Sequence, residues 1–451
     1  MLLLKTLTRC STALLLTAAA TSFAGDSGKA SPKAPVAPAP APSPFIYDFE
    51  LKTRFEVREN NFDFNSSNNA LTDDSWLLYH ARLGLGWQPT PWFKIYAQGQ
   101  DAREFDSDRP KIPGVLGAEG DDTFDLRQFY IQLGEEKKGP SLKVGRQLLT
   151  YGDERLIGPL EWNNFSRSWD AAKLRYAGEK WWVDGFAASL VTINDDKFNK
   201  SDLFNNEGLG RNQVLSGIYF STTALDFQTT DLYAFYLHEE FPVGDSDFVT
   251  LGTRWKSTPG KFGPWDYTVE LVAQTGDVKG KDLAAFAGHA ELGYTFDAPW
   301  KPRLALDYSY GSGDSNAADG KVNTFQNLYP TNHLYYGYMD AFSWQNIHDI
   351  NASLKVAPSK SVTARLDYHA FFLADTGDAW YRANGVATVR PISPGADSYA
   401  GSEVDLTVTY AATKHLSFMA GYSHFFAGSY LSDTGASDDA DFGYIQATLK
   451  F

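Results

Sequence analysis

Three features of this 451-residue chain predict an all-β protein, a transmembrane antiparallel β-barrel of about 18 strands: period-two stretches along most of its length, two alternating classes of connection, and a C-terminal strand ending in Phe451. The first is plainest in YDFELKTRFEVRE, Tyr47 to Glu59. Asp48, Glu50, Lys52, Arg54, Glu56 and Arg58 are charged, while Tyr47, Phe49, Leu51, Phe55 and Val57 are apolar, with Thr53 between them. Side chains of a strand alternate between its faces, so this ribbon has one face for water and one for oil.

Taken from the N-terminus, the chain opens as a secretory signal. Lys5 and Arg9 form a basic region, Ala13 to Ala20 an apolar core, and Ser22-Phe23-Ala24 a small-x-small cleavage site, so residues 1–24 are expected to be removed. The single cysteine, Cys10, lies inside that segment and sits too early for a lipoprotein cleavage box. The mature chain then has no thiol, and its formal charge moves from −15 to about −17. That balance argues against a nucleic-acid partner. Elsewhere no stretch approaches the roughly 18 apolar residues of a membrane helix, and mean hydropathy is −0.34. A helical membrane protein is therefore excluded.

Residues 25–44, GDSGKASPKAPVAPAPAPSP, are too Pro-rich and apolar-poor to fold, and read as an extended periplasmic linker. They cannot supply the folded plug of the 22-stranded transporters. The barrel is expected over residues 45–451, where the ribbon pattern recurs, as in Tyr267 to Ala273, Val362 to Tyr368 and Val404 to Tyr410. Short connections such as Gln88 to Pro91, Gly134 to Pro140, Gly178 to Lys180 and Pro358 to Lys360 alternate with long polar ones. Among the long ones are Asn60 to Asp74, Phe105 to Asp121, Asn194 to Gly210, Gly311 to Asn346, Ala374 to Tyr399 and Gly428 to Asp441. Short periplasmic turns and long extracellular loops are the habit of bacterial outer-membrane barrels, and an open sheet edge is not tolerated in lipid. The apolar face then meets lipid and the charged face lines a watery lumen. Trp87, Trp92, Trp181, Trp182, Trp255, Trp265 and Trp300 flank the short turns, where an interfacial girdle would sit. In the last strand Ile445, Ala447, Leu449 and Phe451 share a face, and a terminal Phe resembles the assembly signal of such barrels.

The stretch GRQLLTYGDERLIGPLEWNNFSRSWDAAKLRY, Gly145 to Tyr176, resembles the signature of the alginate-export family of outer-membrane porins. Tyr329 to Asp340, Phe342 to Asn346 and Asp367 to Phe371 are similar to later parts of that family. The resemblance implies a monomeric, eighteen-stranded barrel in the outer membrane of a Gram-negative-type bacterium. Its lumen would carry a constriction rich in Arg and Lys, through which an anionic polysaccharide such as alginate passes. The YGDER run belongs to the broader group, whose substrates are not confined to alginate.

Read on their own chemistry, Arg146, Arg155, Arg167, Arg175 and Lys173 lie close in sequence to Asp153, Glu154 and Asp170. Arginine forks suit carboxylates, so the cluster either meets a passing anion or is braced against its own acids. Parity puts Lys52, Arg54, Arg82, Arg254, Lys256 and Arg365 inward, opposed by Asp48, Glu50, Glu270, Asp307, Asp349, Asp367, Glu403 and Asp405. The alternation is ambiguous at Arg127 and Arg146. Arg146 is placed inside on the roughly 2–4 kcal/mol cost of Arg at the lipid midplane.

The function expected is passive passage of anionic solutes, with anionic oligo- or polysaccharide and outer-membrane lipid as partners and no cofactor. A general diffusion porin for small sugars is the alternative, and a barrel enzyme a weaker one. G-x-S-x-G and H-E-x-x-H are absent, and His80, His289, His348, His369, His415 and His424 are dispersed among the predicted strands. Gly311 to Gly320 offers oxygen ligands without the spacing of a calcium loop. The aromatic loop from Gly311 to Asn346 either folds inward or across the mouth, or packs on itself at the surface. A periplasmic export partner on the linker is left open.

Overall fold

The computed structural model describes residues 43–68, 73–108, 121–194, 197–201, 212–240, 244–385, 390 and 392–451. The expected signal peptide, nearly all of the linker, and much of the loops Phe105 to Asp121 and Asn194 to Gly210 lie outside the described residues.

Eighteen strands form the wall. They are β1 (Phe45–Glu59), β2 (Asp74–Thr90), β3 (Phe93–Phe105), β4 (Asp122–Glu135), β5 (Lys138–Gln147), β6 (Trp169–Ala177), β7 (Trp181–Thr192), β8 (Asn212–Thr222) and β9 (Gln228–Glu240), followed by β10 (Ser246–Ser257), β11 (Trp265–Val278), β12 (Lys281–Thr295), β13 (Arg303–Gly311), β14 (Ile347–Val356), β15 (Val362–Leu373), β16 (Tyr399–Ala411), β17 (Leu416–Ala427) and β18 (Ala440–Lys450). Each pairs antiparallel with its sequence neighbours. β18 closes on β1 from Glu50↔Lys450 to Glu59↔Asp441, so the wall has no free edge.

Period two along β1 is realised in the barrel. Lys52, Arg54, Glu56 and Arg58 are buried in the lumen, while Tyr47, Phe55 and Val57 are exposed on the outer face. The outer wall continues through Leu83, Leu251, Leu271, Leu306 and Ile350, all exposed. Leu271 sits near the middle of β11, so Leu271→Arg is expected to lower stability by about 2–4 kcal/mol in a lipid-bilayer refolding titration. A change within error would place that face away from hydrocarbon.

Connections alternate as expected, short at one end and mostly long at the other. The long-loop end includes one tight hairpin, Lys279-Gly280, absent from the expected loops. Both residues have positive φ (53° and 78°), which a two-residue turn of the primed type requires. At the short-turn end Trp87, Trp92, Trp181, Trp265 and Trp300 are exposed. Trp182 departs from the expected girdle. It turns inward, its ring 5.5 Å from Tyr219 and 4.0 Å from the Arg175 guanidinium.

Candidate pore and its constriction

Two loops from the long-loop end fill much of the lumen: residues 148–168, between β5 and β6, and residues 312–346, between β13 and β14. The first is aimed inward by the YGDER turn. Gly152 holds φ +58°, and an added Cβ would stand 3.2 Å from the Tyr219 hydroxyl. The Glu154 N–H donates back to the Tyr151 carbonyl at 3.0 Å. From this turn each side chain goes to a different anchor. Tyr151 stacks on Tyr219 and Phe186 at 4.7 and 5.3 Å, within an aromatic lining built by β7, β8 and β9. Asp153 pairs with Arg254 (2.8 Å) and Lys256 (2.7 Å), and these cations hold its carboxyl below the usual range although burial pushes it up. Glu154 accepts from Thr331 Oγ1 at 2.8 Å, and burial raises its pKa. Arg155 donates to the Tyr336 hydroxyl at 3.1 Å, lies 3.4 Å from Asp307 and stacks 3.9 Å over Tyr335. Burial opposes its charge, but Tyr336, Asp307 and Tyr335 outweigh that and raise its pKa.

The second half of this loop reaches the opposite wall. Arg82 and Arg127 both grip the Glu161 carboxylate, Arg82 at 2.7 Å. Lys52 donates to the Glu161 carbonyl at 2.8 Å and Arg54 to the Trp162 carbonyl at 2.7 Å. His80, fully buried, donates from Nδ1 to the Asn164 carbonyl at 2.9 Å and meets Glu50 through Nε2 at 2.6 Å. Asn164 in turn donates to the carbonyls of Tyr79 and Arg103. A loop interior to a barrel must satisfy its backbone groups there, and this wall supplies the partners.

The two loops also hold each other. Ile157 and Tyr329 form a short parallel bridge, closed by Gly158 N–H to Tyr329 O (2.9 Å) and Tyr329 N–H to Leu156 O (2.8 Å). Arg167 donates to the carbonyls of Gly158 (2.7 Å), Tyr329 (2.6 Å) and Pro330 (3.1 Å), and burial draws its pKa down to about 10. Loop 312–346 is fastened from β1 by Arg58 to Met339 O (3.1 Å) and from β16 by Met339 N–H to Glu403 (2.9 Å). Phe342 stacks on Phe371 at 4.1 Å. Of the two arrangements open to this aromatic loop, folding into the lumen is the one realised.

Trp162 stands where the lumen is divided. Its indole has the His333 imidazole stacked at 3.8 Å and the Arg54 guanidinium over it at 3.8 Å. Two planar groups that close cannot share one face of a ring, so Trp162 is sandwiched between them. A cavity of about 640 Å³ on one side is lined by Trp162 with Arg58, Arg167, Tyr329, His333 and Arg382. A cavity of about 530 Å³ on the other is lined by Trp162 with Lys52, Arg82, Arg127, Glu161, Lys450 and the C-terminal Phe451. The first opens toward the loops and the second toward the short turns.

The candidate residues of the sequence are scattered over this arrangement. Arg54, Arg82 and Arg254 face inward and anchor loop 148–168, whereas Arg155 and Arg167 belong to that loop. Lys173 and Arg175 lie low on β6, where Asp184 takes Arg175 at 2.5 Å and Lys173 at 3.8 Å. Arg365 pairs with Asp367 at 2.6 Å. Arg146 does not point into the lumen. It continues the outward parity of Leu142 and Val144 and lies opposite Asp170 on the face shared with Leu174 and Tyr176. The cost of that position is met by Asp170 at 2.9 Å, Asp125 at 3.6 Å and the carbonyls of Leu126 and Asn199. Glu161, Trp162 and His333 do not stand out in the sequence; all three lie inside the family-like stretches, and the alternation of neighbouring strands carries no information on loop contacts. Among the described residues no group of His, Cys, Asp and Glu is placed to hold a metal ion.

No curated protein sequence matches the chain. Crystal structures of Pseudomonas aeruginosa outer-membrane proteins share its fold. OpdQ superposes with a TM-score of 0.60 at 12% identity, covering 90% of this chain and 97% of that one. For OccK11 (OpdR) the values are 0.58 and 11%, with coverage of 90% and 96%. OpdK with vanillate gives 0.57 and 10%, with coverage of 90% and 98%. Likeness at such identity speaks for the barrel alone. The sequence itself is matched by the family model described as alginate export over residues 44–444, from the first strand into the last. The chain therefore belongs to the alginate export family and is a porin-type channel of the Gram-negative outer membrane.

Proposed function

We propose that this channel passes anionic solutes passively, acidic oligosaccharides of the alginate type first among them. One observation carries the reading: the outer cavity is net basic in a chain of net charge −15. Arg58, Arg167, Lys279 and Arg382 face Glu239 and Asp340 there, while in the inner cavity Lys52, Arg82, Arg127 and Lys450 offset Asp48, Glu50, Glu161 and the carboxylate of Phe451. Charges at a constriction set selectivity, because screening over about 8 Å mutes the acidic surface beyond it.

Arg382 is the cation best placed to meet a solute. It makes no ion pair among the described residues, its Nε has no acceptor, and its guanidinium lies 5.0 Å from the Phe62 ring. Uronate rings would add apolar contact with Phe62 and Tyr329, which line the same cavity. A second reading, small planar carboxylates, is favoured by the aromatic Trp162–His333 stack, and vanillate is the molecule named with the OpdK structure. A monomeric barrel and a periplasmic export partner on residues 25–44 belong to the same proposal.

Reversal potentials in planar bilayers test it, with block compared between oligouronate, vanillate and neutral oligosaccharide. Anion preference and block by the acids are expected; a channel that prefers cations sinks the reading. Arg382→Gln should roughly halve the anion-to-cation permeability ratio, since it removes one unpaired charge from the entrance. Its melting temperature should match the parent, because no ion pair is broken.

A further inference from the structure

The outer wall has a notch at the long-loop end. β4 runs to Asp122 and β7 to Thr192, but β4 meets β5 only as far as Phe129↔Arg146, and β6 meets β7 only as far as Trp169↔Leu190. Residues 197–201 lie across it. Lys200 and Ser201 pair with Thr192 and Val191, the Asn199 amide side chain donates to Asp122 at 2.9 Å, and Arg146 donates to the Asn199 carbonyl at 3.0 Å.

Below this strap the lipid face is hollow. A cavity of about 550 Å³ is walled by Phe129, Val144 and Val214 and floored by Ala172 and Ala187, which are directly opposed in the β6–β7 register, with Phe198 of the strap at its upper end. The surrounding outward positions carry bulky groups, Ile131, Leu142, Leu174 and Tyr176, so the hollow comes from two alanines where the wall is otherwise tall. Lys197 and Lys200 flank Phe198, both exposed, and neither makes an ion pair among the described residues. They stand at the extracellular end, level with the headgroups of the outer leaflet.

We propose that this hollow is a lipid site: it seats one acyl chain of a phosphorylated glycolipid of the outer leaflet, whose phosphate rests against Lys197 and Lys200. An apolar hollow turned toward hydrocarbon is filled by the flexible chains beside it. A chain held there gains contacts that a smooth wall does not give. The paired lysines add a charge preference, since cationic side chains at a membrane surface attract anionic headgroups. They also argue against a second copy of the barrel. A two-fold contact would bring the same patch to itself and set Lys197 and Lys200 against their own like charges.

Native mass spectrometry of the detergent-solubilised full chain, titrated with lipid A, dephosphorylated lipid A or phosphatidylethanolamine, tests the site. One retained lipid A per barrel is expected, with the dephosphorylated form bound roughly tenfold more weakly. Lys197→Gln with Lys200→Gln should erase that difference, and Ala187→Phe, which fills the hollow, should abolish retention of both forms. Single-channel conductance should be unchanged in these variants, since none of the three positions lines the lumen. Equal retention by the parent and Ala187→Phe overturns the proposal, as does equal binding of all three lipids. A dimer that Ala187→Phe disperses would show the hollow to be an interface between copies instead.

Discussion

Trp162→Ala is expected to raise single-channel conductance roughly twofold or more, because the indole is the one side chain shared by the cavities on both sides of the constriction. Removing it also frees two groups it now covers, the guanidinium of Arg54 and the imidazole of His333, each 3.8 Å from its ring. A cation newly turned toward the passage should sharpen anion preference while the pore widens. The stability cost should be about 2–3 kcal/mol, below that of a fully buried tryptophan because the ring is only partly enclosed. Conductance and reversal potential measured together decide the point. An unchanged conductance would mean that the narrowest place lies elsewhere.

Glu161→Ala should act on the same loop through charge. The carboxylate is shared by Arg82 and Arg127, both buried in the wall, and its loss leaves two guanidiniums facing each other without an acid between them. Breaking a buried pair in this way costs several kcal/mol. Glu161 itself is nearly half exposed, at 46%, so water screens part of the loss and about 2 kcal/mol is expected. Burial favours the neutral acid, but Arg127 and Arg82 prevail and hold the Glu161 pKa at about 2. A depressed carboxyl stabilises the fold fully above its unfolded value of 4.5, and the contribution is lost as pH falls from there toward 2. The parent's melting temperature should therefore drop across that window more steeply than that of Glu161→Ala. The variant should also prefer anions more strongly at neutral pH, the reverse of Arg382→Gln. Parallel acid profiles for the two proteins would show that Glu161 does not carry the coupling.

The wall was legible in sequence because period two is local. Each residue of β1 reports its own face, and Phe451 reports the closing strand. Arg127 was harder for a physical reason: β4 changes register against β3 between Gln98 and Gly99, which flips the parity of the residues beyond it, so alternation counted across it assigns the wrong face. Arg146 keeps the outward parity of Leu142 and Val144, and the lipid-side cost that argued for the lumen is offset by Asp170 and Asp125, contacts that strand alternation does not report. The lumen contents were legible as composition but not as contacts. Asp153, Glu154 and Arg155 are adjacent in sequence, yet their partners are Arg254, Thr331 and Tyr336, on three different elements. His80 shows the same limit. Its place on a predicted strand carries no sign of a loop partner, yet in the barrel it is fully buried and holds a loop carbonyl.

The joining of the two lumen loops sets an order of assembly. Arg167 reaches carbonyls 162 and 163 residues away, and Arg155 reaches a hydroxyl 181 residues away. Such distant partners meet late, after the chain between them has been laid down. Loop 148–168 must therefore wait for loop 312–346 before the two are locked together, and until then a nascent barrel holds a wide and incompletely filled bore. Protease resistance of the Leu156–Arg167 segment, followed during insertion into vesicles, should lag behind strand formation, and vesicle leakage should peak in the interval between them.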